Sequence, residues 1–342
     1  MQQGNIQRDP SVGRVKDILQ SETGARSPAG LAGGLLLVVA LAWALFQLWY
    51  ASPYSLMSSS LARPIHLAFA IFLTFTFFPA FKGGVKSSIS WYDWLLALLA
   101  SGSVLYLVVF YQQLALRPGL PTQWDLSTAA LGMLLLLEAT RRALGQPLMI
   151  VAAVFLAYTF FGPYFPEVIS HRGVSINRML SHQWLTTEGV FGVALGVSSS
   201  FVFMFVLFGA LLDKAGAGNY FIKVAFSLLG HFRGGPAKAA VVASGLTGII
   251  SGSSIANVVT TGTFTIPLMK KVGFPANKAG AIEVASSTNG QLTPPIMGAA
   301  AFLMVEYVGI SYLEVIRHAI LPALISFGNI GSLPMKNDQV VR

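Results

Sequence analysis

The sequence contains no cysteine, and only 10% of its 342 residues are charged. The lack of cysteine excludes disulfides, thiolate metal sites and cysteine nucleophiles. Hydrophobic residues make up 54% of the chain and the mean hydropathy is +0.66, which is more apolar surface than a compact core could bury. A soluble globular enzyme is therefore excluded. The net charge of +9 does not indicate nucleic-acid binding, because the basic residues lie in short segments between apolar runs.

Long apolar runs recur through the first half of the chain. Crossing a bilayer core of about 30 Å takes about 20 apolar residues in a helix. The runs are 30–50, 64–81, 94–111, 126–141 and 147–163, and short loops with Pro, Gly, Ser or charge separate them. We therefore predict an all-α, polytopic integral membrane protein.

Lysine and arginine are concentrated in alternate connections between these runs, which indicates the cytoplasmic side. The polar segment 1–29 does not have the pattern of a signal peptide and is predicted to be a cytoplasmic tail. The connections 51–63, 116–124 and 164–188 are predicted to lie outside. Glu138, Arg141 and Arg142 are three and four positions apart on one helical face, and we expect an interfacial ion cluster that anchors the helix.

The stretch 236–271 has an apolar pattern that is interrupted in its middle, at 251–257. Each apolar arm has about 14 residues, which is too short to span the bilayer. Lys238 lies at one end and Lys270 and Lys271 at the other, and all three are expected on the cytoplasmic side. This predicts a re-entrant helical hairpin. The alternative is one continuous long helix, which would place Lys270 and Lys271 outside.

The predicted hairpin tip is rich in small polar residues. Ser251, Ser253, Ser254 and Asn257 supply neutral oxygens, and Gly252 allows close approach of the backbone. Such oxygens suit a hard cation such as sodium, and an inward-facing helix N-terminus suits an anion. Four threonines follow on the returning arm; most are expected to bond to their own helix, and Thr261 is the one we predict to line the substrate.

A second interruption lies in the segment 279–308. It is predicted at a polar cluster that a double proline follows, and two adjacent prolines cannot continue a helical hydrogen-bond ladder. The cluster contains Ser287, Thr288, Asn289 and Gly290, Gln291 follows it, and Pro294 and Pro295 are the double proline. Two polar breaks in neighbouring apolar segments are typical of transporter binding sites.

Other titratable residues are expected to lie outside this site. Glu283 is about one turn from Lys278, and a position near the membrane interface is a simpler interpretation than a proton relay. His66 and the four other histidines have no partner at ligand spacing, which favours interfacial positions over metal ligation.

Three strings beyond Gly189 carry a family resemblance: FGALLDKAGAGNYFI, GGPAKAAVVASGLTGIISGSSIANVVTTGTFTIPLMKKVGFP and EVASSTNGQLTPPIMGAAAFLM. They resemble the large permease subunit of tripartite ATP-independent periplasmic (TRAP) transporters, in particular a fused permease that works with a TAXI-type solute receptor. The preceding helices, with the string EATRRALG, resemble the fused small subunit. The resemblance implies an elevator-type inner-membrane importer of organic acids, driven by a sodium or proton gradient and supplied by an extracytoplasmic solute-binding protein.

Carried onto this chain, the resemblance implies roles for the residues of the two breaks. It implies ion coordination by Ser251, Gly252, Ser253, Ser254, Asn257, Ser287, Thr288, Asn289 and Gly290, and substrate lining by Gln291, Pro294 and Pro295. Family members carry a second, inverted half, whereas this sequence stops after about one half and becomes polar from 326. We therefore expect a tail (1–29), small-subunit-like and linking helices (30–187), a first permease half (188–325) and an aberrant tail (326–342), in a fragment that is inactive alone.

Two other classes remain open at this point. A non-transporting structural subunit would have the same membrane helices. An intramembrane hydrolase could use Ser253 as nucleophile, but it needs a facing His or Lys base at the same depth, and the sequence shows none.

Overall fold

The structure is a computed structural model, and it describes residues 25–81, 88–232, 235–251, 254–295 and 297–332. All regular structure in these ranges is helical, which confirms the predicted fold class. The α-helices are α1 (Gly30–Ala51), α2 (Ser59–Phe77), α3 (Trp91–Val109), α4 (Tyr111–Ala115), α5 (Gln123–Leu144), α6 (Gln146–Phe161), α7 (Ile176–Leu180), α8 (Val193–Val197), α9 (Phe203–Lys214), α10 (Ala217–Leu229), α11 (Gly235–Ser251), α12 (Ser254–Lys271), α13 (Ala276–Gly290), α14 (Ala299–Val308) and α15 (Tyr312–Ser332).

Six described helical segments are long and apolar enough to cross a membrane. They are Gly30–Ala51, Ser59–Phe77, Trp91–Val109, Gln146–Tyr164, Val193–Leu212 and Tyr312–Ile330. The predicted run 126–141 lies within α5, which is not among them because Gln123, Asp125 and Glu138 make it more polar. The chain is a multi-pass membrane protein.

The chain divides into two compact units, one ending at Ser200 and one beginning at Phe201. The core of the first unit forms around Trp184, whose side chain is fully buried. Its indole lies against Gly132 of α5, where any side chain would occupy the same space, and its ring meets Phe191 edge-on at 5.3 Å. Small residues on α5 therefore allow close packing of the segment that follows α7.

A network of buried charges joins α3 and α5 in the first unit. Asp93 accepts hydrogen bonds from Arg142 at 2.7 Å and from Arg26 at 2.6 Å, and Arg142 also binds Glu138 at 2.8 Å. The predicted cluster of Glu138 with its two arginines is present, but it is part of this larger network. The end of the predicted cytoplasmic tail packs against this unit, because Arg26 is 3% exposed and paired with Asp93.

The second unit contains a helical hairpin made of α11 and α12. Ala237 and Ala240, near the start of α11, pack with Met269, near the end of α12. The far ends of the two helices therefore meet, and the alternative of one continuous helix is wrong. The arms have 17 and 18 residues rather than about 14, since 251 ends α11 and 254–257 form the first turn of α12. Their length of about 26 Å is still less than that of the bilayer core.

The helix after the hairpin is interrupted, but later than predicted. α13 continues to Gly290 and α14 begins at Ala299, so the break lies at 291–298. Ser286 and Thr288 lie within the helix, and each hydroxyl bonds to the carbonyl four residues earlier, at 2.7 and 2.8 Å. The first residues of the predicted tail from 326 are helical, because α15 continues through Ser332.

Candidate functional site

The hairpin and the broken helix approach each other at backbone contact. Gly248, in the last turns of α11, faces Gly290, the last residue of α13. A Cβ atom added to Gly248 would lie 2.6 Å from the Cα of Gly290, which real structures do not allow. Two glycines are therefore what brings the C-terminal end of α13 against the tip of the hairpin.

Asn257 joins the two arms of the hairpin near the tip. Its Nδ2 donates to the Ser244 carbonyl at 2.7 Å and to Ser244 Oγ at 3.2 Å, and its Oδ1 accepts from Thr247 Oγ1 at 2.7 Å. The side chain is 1% exposed. Asn257 was predicted to bind an ion through this oxygen. In the structure, its side-chain amide links α12 to Ser244 and Thr247 of α11.

Among the described residues, a pair of side chains joins the two polar breaks. Gln291 Nε2, at the start of the break after α13, donates to Ser254 Oγ at the start of α12, at 3.2 Å. The backbone N–H of Gly298 donates to the Gln291 carbonyl at 2.7 Å and closes the turn. The structure thus brings together a predicted ion ligand and a predicted substrate-lining residue.

Further polar contacts extend from the tip into the hairpin. Ser287 Oγ lies 2.8 Å from Ser244 Oγ and 3.4 Å from Glu283 Oε1. Glu283 also accepts hydrogen bonds from Thr261 and, at 2.6 Å, from Thr265. All of these side chains are buried. They form a continuous polar cluster of oxygen and amide groups between α11, α12 and α13.

Some predicted site residues lie outside this cluster. Thr288 is exposed and its hydroxyl bonds to the Val284 carbonyl of its own helix. Asn289 is buried and its Nδ2 has no hydrogen-bond partner among the described residues. Pro294 and Pro295 lie in the break, joined by a cis peptide bond.

Part of the predicted tip lies outside the described residues. Gly252 and Ser253 belong to this part, and Ser251 is described only as the last residue of α11. Their predicted roles as ion ligands therefore stay predictions, and so does the hydrolase alternative that needs Ser253.

Four residues of the cluster were not assigned to the site from the sequence: Ser244, Thr247, Thr265 and Glu283. Their spacing along the helices could have indicated that they lie on the same faces as the predicted site residues. Ser244 and Thr247 are three apart on α11, and Glu283 and Ser287 are four apart on α13, so each pair shares one helical face. The position expected for Glu283 outside the site is wrong, because its side chain is 0% exposed and bonded to the cluster.

The structure describes no metal cluster of His, Asp and Glu side chains in the residues it covers. His66, expected at an interface, is instead buried in the first unit. Its Nδ1 contacts Trp43 Nε1 at 3.2 Å and Gln47, and its Nε2 lies 3.2 Å from Ser198 Oγ. Its ring nitrogens are therefore satisfied by protein groups.

Residues 131–331 match the family described as tripartite ATP-independent periplasmic transporter, DctM component. This match covers more than half of the chain, and the chain belongs to this family. No solved structure matches this chain.

Curated relatives share shorter segments with the chain. An uncharacterized protein, y4mL, from Sinorhizobium fredii is 33% identical over 121 residues, which are 35% of this chain and 28% of the relative. The C4-dicarboxylate TRAP transporter large permease protein DctM of Rhodobacter capsulatus is 36% identical over 91 residues, 27% of this chain and 21% of the relative. The ectoine TRAP transporter large permease protein TeaC of Halomonas elongata is 32% identical over 95 residues, 28% and 22% of the two chains. The matches thus span between a fifth and a third of these relatives.

Membership of this family agrees with the predicted class. The family is that of a transporter permease rather than an enzyme, and its members are multi-pass membrane proteins. The hairpin tip and the break after α13 fall within the matched residues.

Proposed function

We propose that this chain is a permease subunit of a secondary TRAP transporter that imports organic acids across the cytoplasmic membrane. An extracytoplasmic solute-binding protein of the TAXI type delivers the acid, a sodium or proton gradient drives the import, and the N-terminus is cytoplasmic. The helices 30–187 act as a fused small-subunit-like part and a linking scaffold, and residues 131–187 of this range fall within the family match. The observation that carries the proposal is the contact between the hairpin tip and the broken helix, made by Ser254 with Gln291 and by Gly248 with Gly290.

The chemistry of this contact favours a carboxylate together with a small cation. Helix α12 begins directly after the first break and helix α14 begins directly after the second. The free N–H groups at the start of a helix attract anions. No Lys or Arg side chain belongs to the described polar cluster, so a bound cation would offset the charge of the acid. The neutral oxygens of Ser254 and the carbonyls freed at 291–298 are suitable ligands for such a cation.

The names of two relatives support an organic acid as substrate. One is a C4-dicarboxylate permease and another, from Escherichia coli, is a 2,3-diketo-L-gulonate permease with 25% identity over 91 residues. Both names refer to small molecules that carry carboxylate groups. We therefore propose a small carboxylate as the substrate class.

Uptake into proteoliposomes tests this function. An intact homologue that carries this first permease half is reconstituted with its solute-binding protein, because the chain alone is expected to be inactive. Entry of labelled organic acids is measured under an inward sodium gradient and an inward proton gradient, and substitutions are made at the positions equivalent to those of this chain. Asn257→Ala removes the amide that holds the tip and leaves Thr247 and the Ser244 carbonyl without it. We expect a loss of about 1–3 kcal/mol of interaction, and hence a fall in uptake of about fivefold or more.

Asn277→Ala is the matched control, because Asn277 is exposed at the start of α13 and its side-chain oxygen accepts a hydrogen bond from the neighbouring Lys278 N–H. Its uptake should equal that of the unchanged chain. Uptake that ignores both gradients would contradict the proposal. Binding of the receptor without any uptake would identify a non-transporting structural subunit instead.

A further inference from the structure

A cavity of about 330 Å³ lies in the first unit, where α3 and α4 end and α5 begins. Its wall includes Arg117 of the loop before α5, Asp125 in the first turn of α5, and Trp184 of the segment after α7; we call it the Arg117 cavity. Five residues with hydroxyl groups line it as well: Ser60, Tyr111, Ser181, Thr186 and Thr187. Its volume is in the range of small-molecule sites, about 300–1,000 Å³. The proposed transport site includes none of these residues.

Three N–H groups at or beside the Arg117 cavity are buried and have no hydrogen-bond partner in the described part of the chain. They are Trp184 Nε1, Arg117 Nε and Arg63 Nε. Trp184 and Arg117 line the cavity, and the Arg63 guanidinium donates at 3.0 Å to the carbonyl of Phe191, which also lines it. Six buried side-chain nitrogen or oxygen atoms lack a partner among the described residues, so half of them are found here. Since buried donors are normally paired, this concentration indicates that an acceptor is missing.

The acidic residue that lines the Arg117 cavity already has its own donors. Asp125 Oδ1 accepts from the Tyr106 hydroxyl at 2.6 Å and from Arg117 Nη2 at 3.1 Å. Its Oδ2 accepts from the backbone N–H of Thr122 at 2.7 Å. Because these contacts occupy both carboxylate oxygens, the acceptor for the three unpaired N–H groups has to come from a bound molecule.

The charge around the Arg117 cavity favours an anion. Arg63 and Arg117 carry two positive charges, and Asp125 carries one negative charge. The described residues form no salt bridge with Arg63, so one positive charge is left without a partner. Glu188 follows a residue that lines the cavity, but its side chain is 75% exposed and pairs with His182. Arginine matches the oxygen pairs of carboxylate and phosphate groups with its planar array of donors.

We propose that the Arg117 cavity is a binding site for an oxyanion. Arg117 supplies a charged donor and Trp184 a neutral indole N–H, while Arg63 contributes positive charge beside the cavity. The phosphate group of a phospholipid and the carboxylate group of a soluble acid share this chemistry. Residues of the connections 116–124 and 164–188, which are predicted to lie outside, form much of the wall, so the ligand arrives from the outer side. This inference does not depend on the transport function proposed above.

Binding to the purified full chain in an uncharged detergent tests the inference. Isothermal titration calorimetry is carried out with three probes: inorganic phosphate, succinate and dihexanoyl phosphatidylglycerol. We expect saturable binding of at least one of them. Where succinate binds, its uncharged analogue succinamide should bind about tenfold more weakly, because hydrogen bonds to a charged acceptor are the stronger ones. Equal binding of succinate and succinamide would contradict an oxyanion site.

Two variants each remove one donor from the wall. Trp184→Phe removes the indole N–H and keeps an aromatic ring. Arg117→Lys keeps a positive charge beside Asp125 but removes Nε–H and the planar array of donors. Each should weaken binding about tenfold or more, since a hydrogen bond to a charged group is lost. Trp124→Phe and Arg178→Lys are the matched controls, because both side chains are exposed, and they should bind as the unchanged chain does.

The probes also distinguish the two sources of the oxyanion. Tighter binding of phosphatidylglycerol identifies a lipid site, and tighter binding of succinate identifies a site for a soluble acid; either result supports the inference. Asn257→Ala changes the proposed transport site and should leave this binding unchanged. Absence of saturable binding for all three probes would overturn the inference. So would binding that Trp184→Phe and Arg117→Lys leave intact, and its loss in Asn257→Ala would assign the binding to the hairpin tip instead.

Discussion

Asp93 shows how much a single residue contributes in this protein. Its carboxylate is 0% exposed and binds Arg26 at 2.6 Å and Arg142 at 2.7 Å. The Arg142 guanidinium also lies 4.8 Å above the Phe75 ring. The acid therefore holds the segment before α1, the start of α3 and the end of α5 together.

Asp93→Asn should destabilise the protein strongly. The change leaves two buried arginines with less negative charge, and removal of one partner of a buried pair costs about 3–5 kcal/mol. The shift is measured by thermal unfolding of the purified protein in detergent. Glu188→Gln is the control, since Glu188 is exposed and pairs with the exposed His182; its effect should stay below about 1 kcal/mol. Equal melting temperatures for the two variants would show that the network contributes little.

The sequence predicts contacts between residues that are close along a helix and misses those that are far apart. Glu138, Arg141 and Arg142 were predictable because residues three and four apart share a helix face. Asp93 pairs with residues 49 and 67 positions away, which no local spacing reveals. Glu283 was missed for the same reason, because its threonine partners lie on another helix.

The hairpin arms and the broken helix are the elements whose existence the sequence predicts best. Prolines and clusters of small polar residues interrupt apolar patterns, and both interruptions are present in the structure. Their lengths were underestimated, because Ser and Asn side chains that could terminate a helix are instead accommodated within it. Ser254 and Asn257 begin α12, and Ser286 bonds back to the Ile282 carbonyl.

Replacement of two different glycines by alanine should change the stability of the protein in opposite directions. Gly248→Ala places a Cβ 2.6 Å from the Cα of Gly290, and we expect a loss of about 1–3 kcal/mol as α11 and α13 separate. Gly280→Ala lies in α13 with no atom within 4 Å of the added Cβ, and it should stabilise the helix by about 0.5–1 kcal/mol. Thermal unfolding of both variants is the measurement. A neutral or stabilising Gly248→Ala would show that the two helices do not need this close contact.

At the scale of the whole molecule, the chain is a membrane protein with two compact units, and the second contains the hairpin, the broken helix and the polar cluster between them. Composition and run lengths predict the class, because apolar helices of this length have no other stable environment. Orientation depends on the distribution of Lys and Arg alone, and the arrangement of the helices gives no direction across a bilayer.

The central claim is that α11 and α12 enter the membrane and return to the side from which they came. The absence of native cysteine makes single-cysteine labelling unambiguous. Membrane-impermeant thiol reagents are applied to intact cells and to inverted vesicles that carry Lys238→Cys, Lys271→Cys or Leu120→Cys. The account predicts that Lys238→Cys and Lys271→Cys react only from the cytoplasmic side and that Leu120→Cys, in an exposed loop, reacts only from outside. Reaction of Lys271→Cys from the outside, with Lys238→Cys still cytoplasmic, would contradict it.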